Sequence, residues 1–205
     1  MIDFHTAHTS NGQRVAIVLE ECALPYRVYR YALMKGEHRT SAFASLNPAG
    51  MIPVIVDHDG PGGAPVTLTQ SGAILLYLAE KSGRLMPKDP LSRTRAWEWL
   101  MFTLTDIASA SSGIFLHSMI VPEKAPTNVG WYEERLLRFL RIADGRLAEG
   151  EWLAGELSIA DFALYTIAAG RAALVDAAGD LPNLVRWRAA LSARPSVDRG
   201  MKAAA

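Results

Sequence analysis

The apolar positions of this chain change period several times, and each change marks an element. Ile2 to His5 forms a short extended run. After the turn cluster Thr9-Ser10-Asn11-Gly12, residues Val15, Val18, Leu19, Cys22 and Ala23 repeat at the spacing of an amphipathic helix. Leu24-Pro25 breaks that helix, and Tyr26 to Leu33 alternates bulky and basic residues as a second strand does. Strand, helix and strand predict a βαβ unit with parallel strands and a right-handed crossover. Phe43, Leu46 and the terminating Asn47-Pro48 predict only a short, irregular helix. Ile52 to Asp57 is a β-branched run stopped by HDGPGGAP and followed by a second extended run, Val66 to Thr69, which reads as a hairpin. At Gln70-Ser71 the period changes again, and Ile74, Leu75, Leu78 and Ala79 recur at helical spacing up to Gly83, a C-cap candidate.

Residues 1–83 thus read β-α-β-α-β-β-α, a small α/β layer that, with Pro53 opening its third strand, resembles the thioredoxin fold. Proline there lacks an N–H, and a cis bond at Ile52-Pro53 is a position from which the Ile52 backbone can face a ligand. Residues 84–91, with two prolines and no apolar period, form the expected linker, and residues 92–205 are helical in pattern. Ser92 to about His117 reads as one long helix or a kinked pair, with Trp97, Leu100, Met101 and Leu104 on one face and a loosely packed small-residue segment from Ala108 to Gly113. Trp131 to Leu147 is strongly amphipathic. Ser158 and Asp161 occupy the N-cap and N3 places of a capping box before an almost wholly apolar helix. Leu184, Trp187 and Leu191 give the last helix, ended by Arg194-Pro195, and the alanine-rich tail is expected to fray. The fold class is therefore α/β plus all-α, an N-terminal thioredoxin-like domain followed by a C-terminal helical bundle.

Composition narrows the function. Lys+Arg and Asp+Glu number 21 each, which suggests neither nucleic acid nor an anionic membrane as partner. Cys22 is the only cysteine, so an intrachain disulfide is excluded. It lies on the apolar stripe of the first helix, where a thiol is an inert core group. The histidines have no metal-ligand spacing, and no metal site is expected. The N-terminus lacks a signal-peptide pattern and no stretch approaches 18 uninterrupted apolar residues, so a cytoplasmic protein is expected.

Four stretches in order, TSNG opening the first helix, NPAGMIPVIVD, Gln70-Ser71 followed by GAILLYLAEKSG, and GELSIADFALY, together resemble a cytosolic glutathione transferase over essentially the whole chain. Within that family the TSNG turn, the loop from Asp57-His58 to Gly62-Gly63 and the SGAILLYLAEK segment are most similar to the bacterial Nu class, some of whose members reduce disulfides using glutathione. The resemblance implies a homodimer active in detoxification or thiol chemistry, with glutathione or glutathione disulfide held by the thioredoxin-like domain and a small electrophile or disulfide as second substrate. Carried residue by residue, it implies that Gln70 and Ser71 bind the γ-glutamyl carboxylate and that the Ile52 backbone before Pro53 pairs with the cysteinyl backbone. It further places Thr9 and Asn11 by the sulfur, His38 near the glycyl carboxylate, and Arg135 in WYEER within reach of a glutathione carboxylate. Two positions depart from the class: Gln70 stands where glutamate is usual, and Ala108 to Gly113 lacks an aromatic and histidine-rich lining.

The chemical task is to hold a thiol as thiolate near neutral pH. Thr9 is the first candidate to donate a hydrogen bond to the sulfur, the Asn11 amide the second and Ser10 the third. Taken alone, Thr9, Ser10 and Asn11 are an ordinary turn and N-cap, Ser71 is a cap, His38 a surface histidine, and Arg135 one half of a surface helix pair with Glu134 or acidic neighbours. Three functions follow: glutathione transfer to an electrophile, glutathione-dependent reduction of a disulfide or peroxide, and a binding module that has lost thiol activation.

Overall fold

The computed structural model describes residues 1–205, and the chain divides into two compact units, Met1–Leu85 with Ser192–Ala205, and Met86–Leu191. The first is built on a four-stranded sheet in the order β2-β1-β3-β4. β1 (Ile2–Thr6) pairs in parallel with β2 (Tyr26–Arg30), as the βαβ pattern requires, and antiparallel with β3 (Val54–Asp57). The hairpin partner β4 (Val66–Thr69) completes the sheet, with Val54 opposite Thr69. α1 (Ser10–Glu21) and α3 (Ser71–Ser82) pack together, while α2 (Ser41–Leu46) inserts Phe43 into a cluster with Ala7, Ile52 and Val54.

The C-terminal segment departs from the sequence reading. Instead of a frayed tail, Pro195–Ala203 is a helix, α10, and it packs on α1 in the first unit rather than joining the helical bundle assigned to 92–205. Gly200 permits this, because a Cβ there would sit 2.6 Å from the Ile17 backbone, which cannot yield. Arg194 forks onto the buried Glu21 carboxylate through Nε at 2.6 Å and a terminal nitrogen at 2.9 Å, and Ser196 bonds the same group. Arg199 pairs with Glu20, and Arg30 donates to the Ala203 carbonyl. These partners lie more than 170 residues apart in sequence, so no local pattern announces them.

In the second unit, α4 (Pro90–Phe102), capped by Asp89, runs through wide π turns at Thr103–Ile107 and Leu116–Ile120 that flank α5 (Ala108–Phe115). The buried face of this run is Ala96, Trp99, Leu100, Thr103 and Ile107; of the expected face Leu100 is buried and Leu104 partly so, but Trp97 and Met101 are about half exposed. Both residues sit on a parallel i, i+4 stripe of their own, and side-chain size misdirected the reading. The run Pro90–Ile120 is long and apolar enough to cross a membrane, yet Leu100, Ile107 and Ala110 are wholly buried within this unit. The small-residue segment is close-packed rather than loose, for a Cβ on Gly113 would lie 2.4 Å from the Tyr132 ring.

α6 (Pro126–Ala148) starts earlier than its apolar period suggests. α7 (Ile159–Gly170) is enclosed almost throughout and begins with the capping box of Ser158 and Asp161. The Asp161 carboxylate accepts from Leu153 N–H, Ser158 N–H, the Ser158 hydroxyl and the Trp187 indole. Burial pushes its pKa up to about 6 although these four donors pull the other way. α8 (Ala172–Ala178) and α9 (Pro182–Ser192) close the unit.

Glu21 is the more exposed of these charge sites to test. Burial raises its pKa, but the Arg194 and Ser196 bonds outweigh that and hold it below the ordinary carboxylate range. Arg194→Ala leaves the buried Glu21 carboxylate with only the Ser196 hydroxyl, at an expected cost of about 3 kcal/mol, whereas Glu21→Gln leaves the third-exposed Arg194 able to reach water and costs less. Because the folded pKa is depressed, the stabilisation is complete above about pH 4.3 and is lost on further acidification. Denaturant melts of wild type and Glu21→Gln should therefore converge between pH 6 and pH 3.

Candidate active site

Strand directions bring the candidate residues to one end of the first unit's sheet. β1 ends at Thr6, β3 begins at Val54 and β4 ends at Thr69, and the pairings His5 with Val54 and Val54 with Thr69 place those ends side by side. From that edge the chain leaves β1 through Ala7-His8 to Thr9, enters β3 from Ile52-Pro53, and leaves β4 through Gln70 into α3. The first turns of α1 and α3 and the Ile52 backbone consequently share one edge.

At α1, Thr9 is the N-cap, accepting from Gly12 N–H at 3.1 Å. Its hydroxyl proton has only the Ala7 carbonyl at 3.5 Å, a contact too long to hold it, so the hydroxyl can donate to an incoming group. Ser10 and Asn11 follow as the first helical residues, Asn11 exposed. Gly12 is needed because a Cβ there would lie 2.2 Å from the Thr6 hydroxyl and 2.5 Å from the Ala7 carbonyl.

At α3 the N-cap is Gln70, at φ +68°, and Ser71 is the first helical residue rather than the cap. Gln70 makes no side-chain capping bond, and Ile74 N–H is the first in α3 to find a backbone partner, on the Gln70 carbonyl. Three N–H groups at a positive helix end, with the Ser71 hydroxyl beside them, form a carboxylate-sized donor set. A non-glycine residue at positive φ costs about 1–3 kcal/mol and is retained where the surroundings fix it. The Ile52–Pro53 bond is cis, and the Ile52 backbone bonds nothing else in the chain.

His38 lies on the single turn Glu37–Arg39 after β2, partly buried, with Nδ1 enclosed and unpartnered. Behind it, His5 bonds the Tyr31 hydroxyl at 2.9 Å and stacks on Tyr29. Burial lowers the His5 pKa against the opposing pull of nearby Asp3. Cys22 closes α1 at the opposite end, 3.2 Å from the Ser82 hydroxyl, and burial raises its thiol pKa. No group of three or more metal-ligating side chains occurs. Arg135 belongs to α6 in the second unit and, instead of pairing with Glu134, stacks over Trp131 at 5.5 Å and Phe139 at 4.9 Å.

Arg14 is the residue that sequence reasoning missed. It is 1% exposed in the second turn of α1, with Nε on the Ser10 carbonyl at 3.3 Å and both terminal nitrogens unpartnered. The available signal was its place four residues before Val18 and seven before Glu21, on the flank of the buried stripe.

Residues 9–81 match the family described as glutathione S-transferase, N-terminal domain, and residues 102–195 the corresponding C-terminal domain. The disulfide-bond oxidoreductase YfcG of Escherichia coli is 32% identical over 204 residues, 98% of this chain and 94% of that protein. A glutathione transferase family member from Pseudomonas fluorescens, solved with two glutathione bound, superposes with a TM-score of 0.91 at 33% identity, covering 98% of this chain and 92% of that one. A glutathione transferase from Pseudomonas putida, solved with one glutathione disulfide per subunit, gives 0.90 at 32% identity, covering 98% and 90%.

The close approach at Gly12 yields a direct test of this edge. Gly12→Ala must displace the Thr6 hydroxyl and the Ala7 carbonyl that leads into Thr9, so it should lower glutathione turnover by about tenfold or more while thermal unfolding shifts by only the few degrees that about 1–2 kcal/mol produces.

Proposed function

Because the chain belongs to the glutathione S-transferase family, we propose that it activates the glutathione thiol at the α1–α3 edge and uses it to reduce small disulfides. The observation that carries this is the convergence of two helix N-termini and the Ile52 backbone in a unit whose single cysteine lies buried at the far end of α1. The redox sulfurs must then come from glutathione. Gln70, Ser71 and the α3 N-terminus hold the γ-glutamyl carboxylate, Ile52 pairs with the cysteinyl backbone, His38 serves the glycyl end, and Thr9 and Asn11 face the sulfur. In the second unit, the Arg135 guanidinium is oriented by the Trp131 and Phe139 rings.

Lowering a thiol of ordinary pKa about 8.5 by about 2 units requires about 2.7 kcal/mol of differential stabilisation. A hydrogen bond from Thr9 to the anion contributes about 1.5–3 kcal/mol and the α1 N-terminus about 0.3–2, which together suffice. The thiolate attacks one sulfur of the disulfide and expels the other as thiolate, which takes up a proton. A second glutathione thiolate then cleaves the mixed disulfide, releasing the second thiol and glutathione disulfide, so two glutathiones are oxidised for each disulfide reduced. The relatives solved with two glutathiones or with glutathione disulfide support this stoichiometry.

Conjugation to a small electrophile is the second reading. It uses the same thiolate, with an electrophile in place of the disulfide. A cytoplasmic homodimer is the expected state. In support, Leu91, Trp97, Met101 and Ile142 leave apolar surface uncovered on α4 and α6.

Ser71→Ala should raise the KM for glutathione by about 10-fold or more, and Thr9→Ala should lower kcat with little change in KM. An unchanged KM in Ser71→Ala would remove α3 from the site. Calorimetry with glutathione and glutathione disulfide separates the two readings: tighter disulfide binding is expected for the reductase, and tighter thiol binding would favour conjugation.

A further inference from the structure

We propose that Arg14 is the positioning charge of the thiol site, a buried guanidinium beneath the first turn of α1 that favours the thiolate of glutathione bound at Thr9. The inference rests on the glutathione reading above and adds a residue that takes no part in holding the ligand.

Arg14 lies 1% exposed on the second turn of α1, and helical side chains lean toward the N-terminus. Its Nε bonds the Ser10 carbonyl at 3.3 Å, which holds the guanidinium against the first turn of α1, on the residue that follows the Thr9 cap. Burial lowers its pKa to about 10, so it remains charged throughout the neutral range. Both terminal nitrogens are enclosed without a hydrogen-bond partner, and no carboxylate forms an ion pair with it.

The charged groups on the elements packed against α1 are engaged elsewhere. Lys81 of α3 pairs with Asp57, and Glu80 is exposed. On α10, Arg199 pairs with Glu20 and Lys202 with Asp198, while Arg194 at its start holds Glu21. On β1, Asp3 bonds His58 and His5 bonds Tyr31. Arg14 is therefore a buried cation with no compensating anion, and such a group is costly unless an anion sits within its field. The α1 N-terminus, with the Thr9 hydroxyl proton free to donate, is where the proposed ligand brings one. The helix dipole and the guanidinium then act on the sulfur in the same direction.

The test is the pKa of the glutathione thiol in the complex, read from thiolate ultraviolet absorbance during pH titration of wild-type protein and the variants Arg14→Gln, Arg14→Met and Arg14→Lys. Wild type should titrate well below the free thiol. Arg14→Gln should raise the bound value by about one unit, a tenfold fall in the thiolate-to-thiol ratio at fixed pH, and Arg14→Lys, which keeps the charge, should stay close to wild type. Arg14→Met fills the same space with no polar atom to satisfy and serves if the glutamine variant does not fold. A depressed wild-type value that the uncharged variants leave unchanged, or that Arg14→Lys raises to the free-thiol value while still binding glutathione, would overturn the assignment alone. A wild-type bound thiol no more acidic than the free one would overturn the reading of the site and this assignment with it.

Discussion

The seating of α1 is the constraint on which the first unit depends, and it is set by two glycines. Gly12 brings the start of the helix onto the Thr6 hydroxyl and Ala7 carbonyl, and Gly200 brings α10 onto the Ile17 backbone in its middle. Between these contacts, Val15 to Leu19 are completely enclosed. A helix held from both sides presents its first turn in one place, and Thr9, Ser10 and Asn11 inherit that position. Catalysis by preorganised donors needs such fixity, because a hydroxyl that must reorganise on binding loses much of its advantage.

Charge is distributed with the same division of labour. Glu21, Asp57 and Asp161 are buried carboxylates, and each is satisfied: by Arg194 and Ser196, by Tyr77 and Lys81, and by four donors around the α7 cap. These bonds tie α10 to α1, the end of β3 to α3, and α9 to the capping box of α7. They act as structural clasps away from the edge where the helix N-termini meet. Arg14 breaks the pattern, and it does so one turn from the group proposed to meet the sulfur. Departures from satisfied burial are informative in that way, since a fold with no chemical use for them has an inexpensive route to removing them.

Glutathione chemistry at a site with no cysteine of its own, as proposed for this protein, places particular demands on the scaffold. The protein contributes no redox atom, so its work reduces to acidifying one thiol and orienting two sulfurs. In the proposed site the α1 dipole and the Thr9 hydroxyl serve the first task, and the Ile52 backbone before Pro53 serves the second. Cys22 is kept out of this chemistry by burial, which favours the protonated thiol at the far end of the helix.

The sequence by itself determined the local elements. The period of the apolar residues placed β1, α1, the β3–β4 hairpin and α3, the Ser158–Asp161 spacing gave the α7 cap, and the motifs around Thr9, Pro53 and Ser71 pointed to glutathione chemistry. Each of those signals acts over a few residues, through a backbone bond or a single apolar face, and so is written locally. The tertiary structure decided the rest. It made Gln70, not Ser71, the α3 cap, turned Trp97 and Met101 outward, folded the tail into α10 against α1, and left Arg14 buried and unpaired. Those outcomes depend on which distant surface arrives to cover a helix flank, as Gly200 and Arg194 do from more than 170 residues away, and no spacing along the chain encodes that arrival.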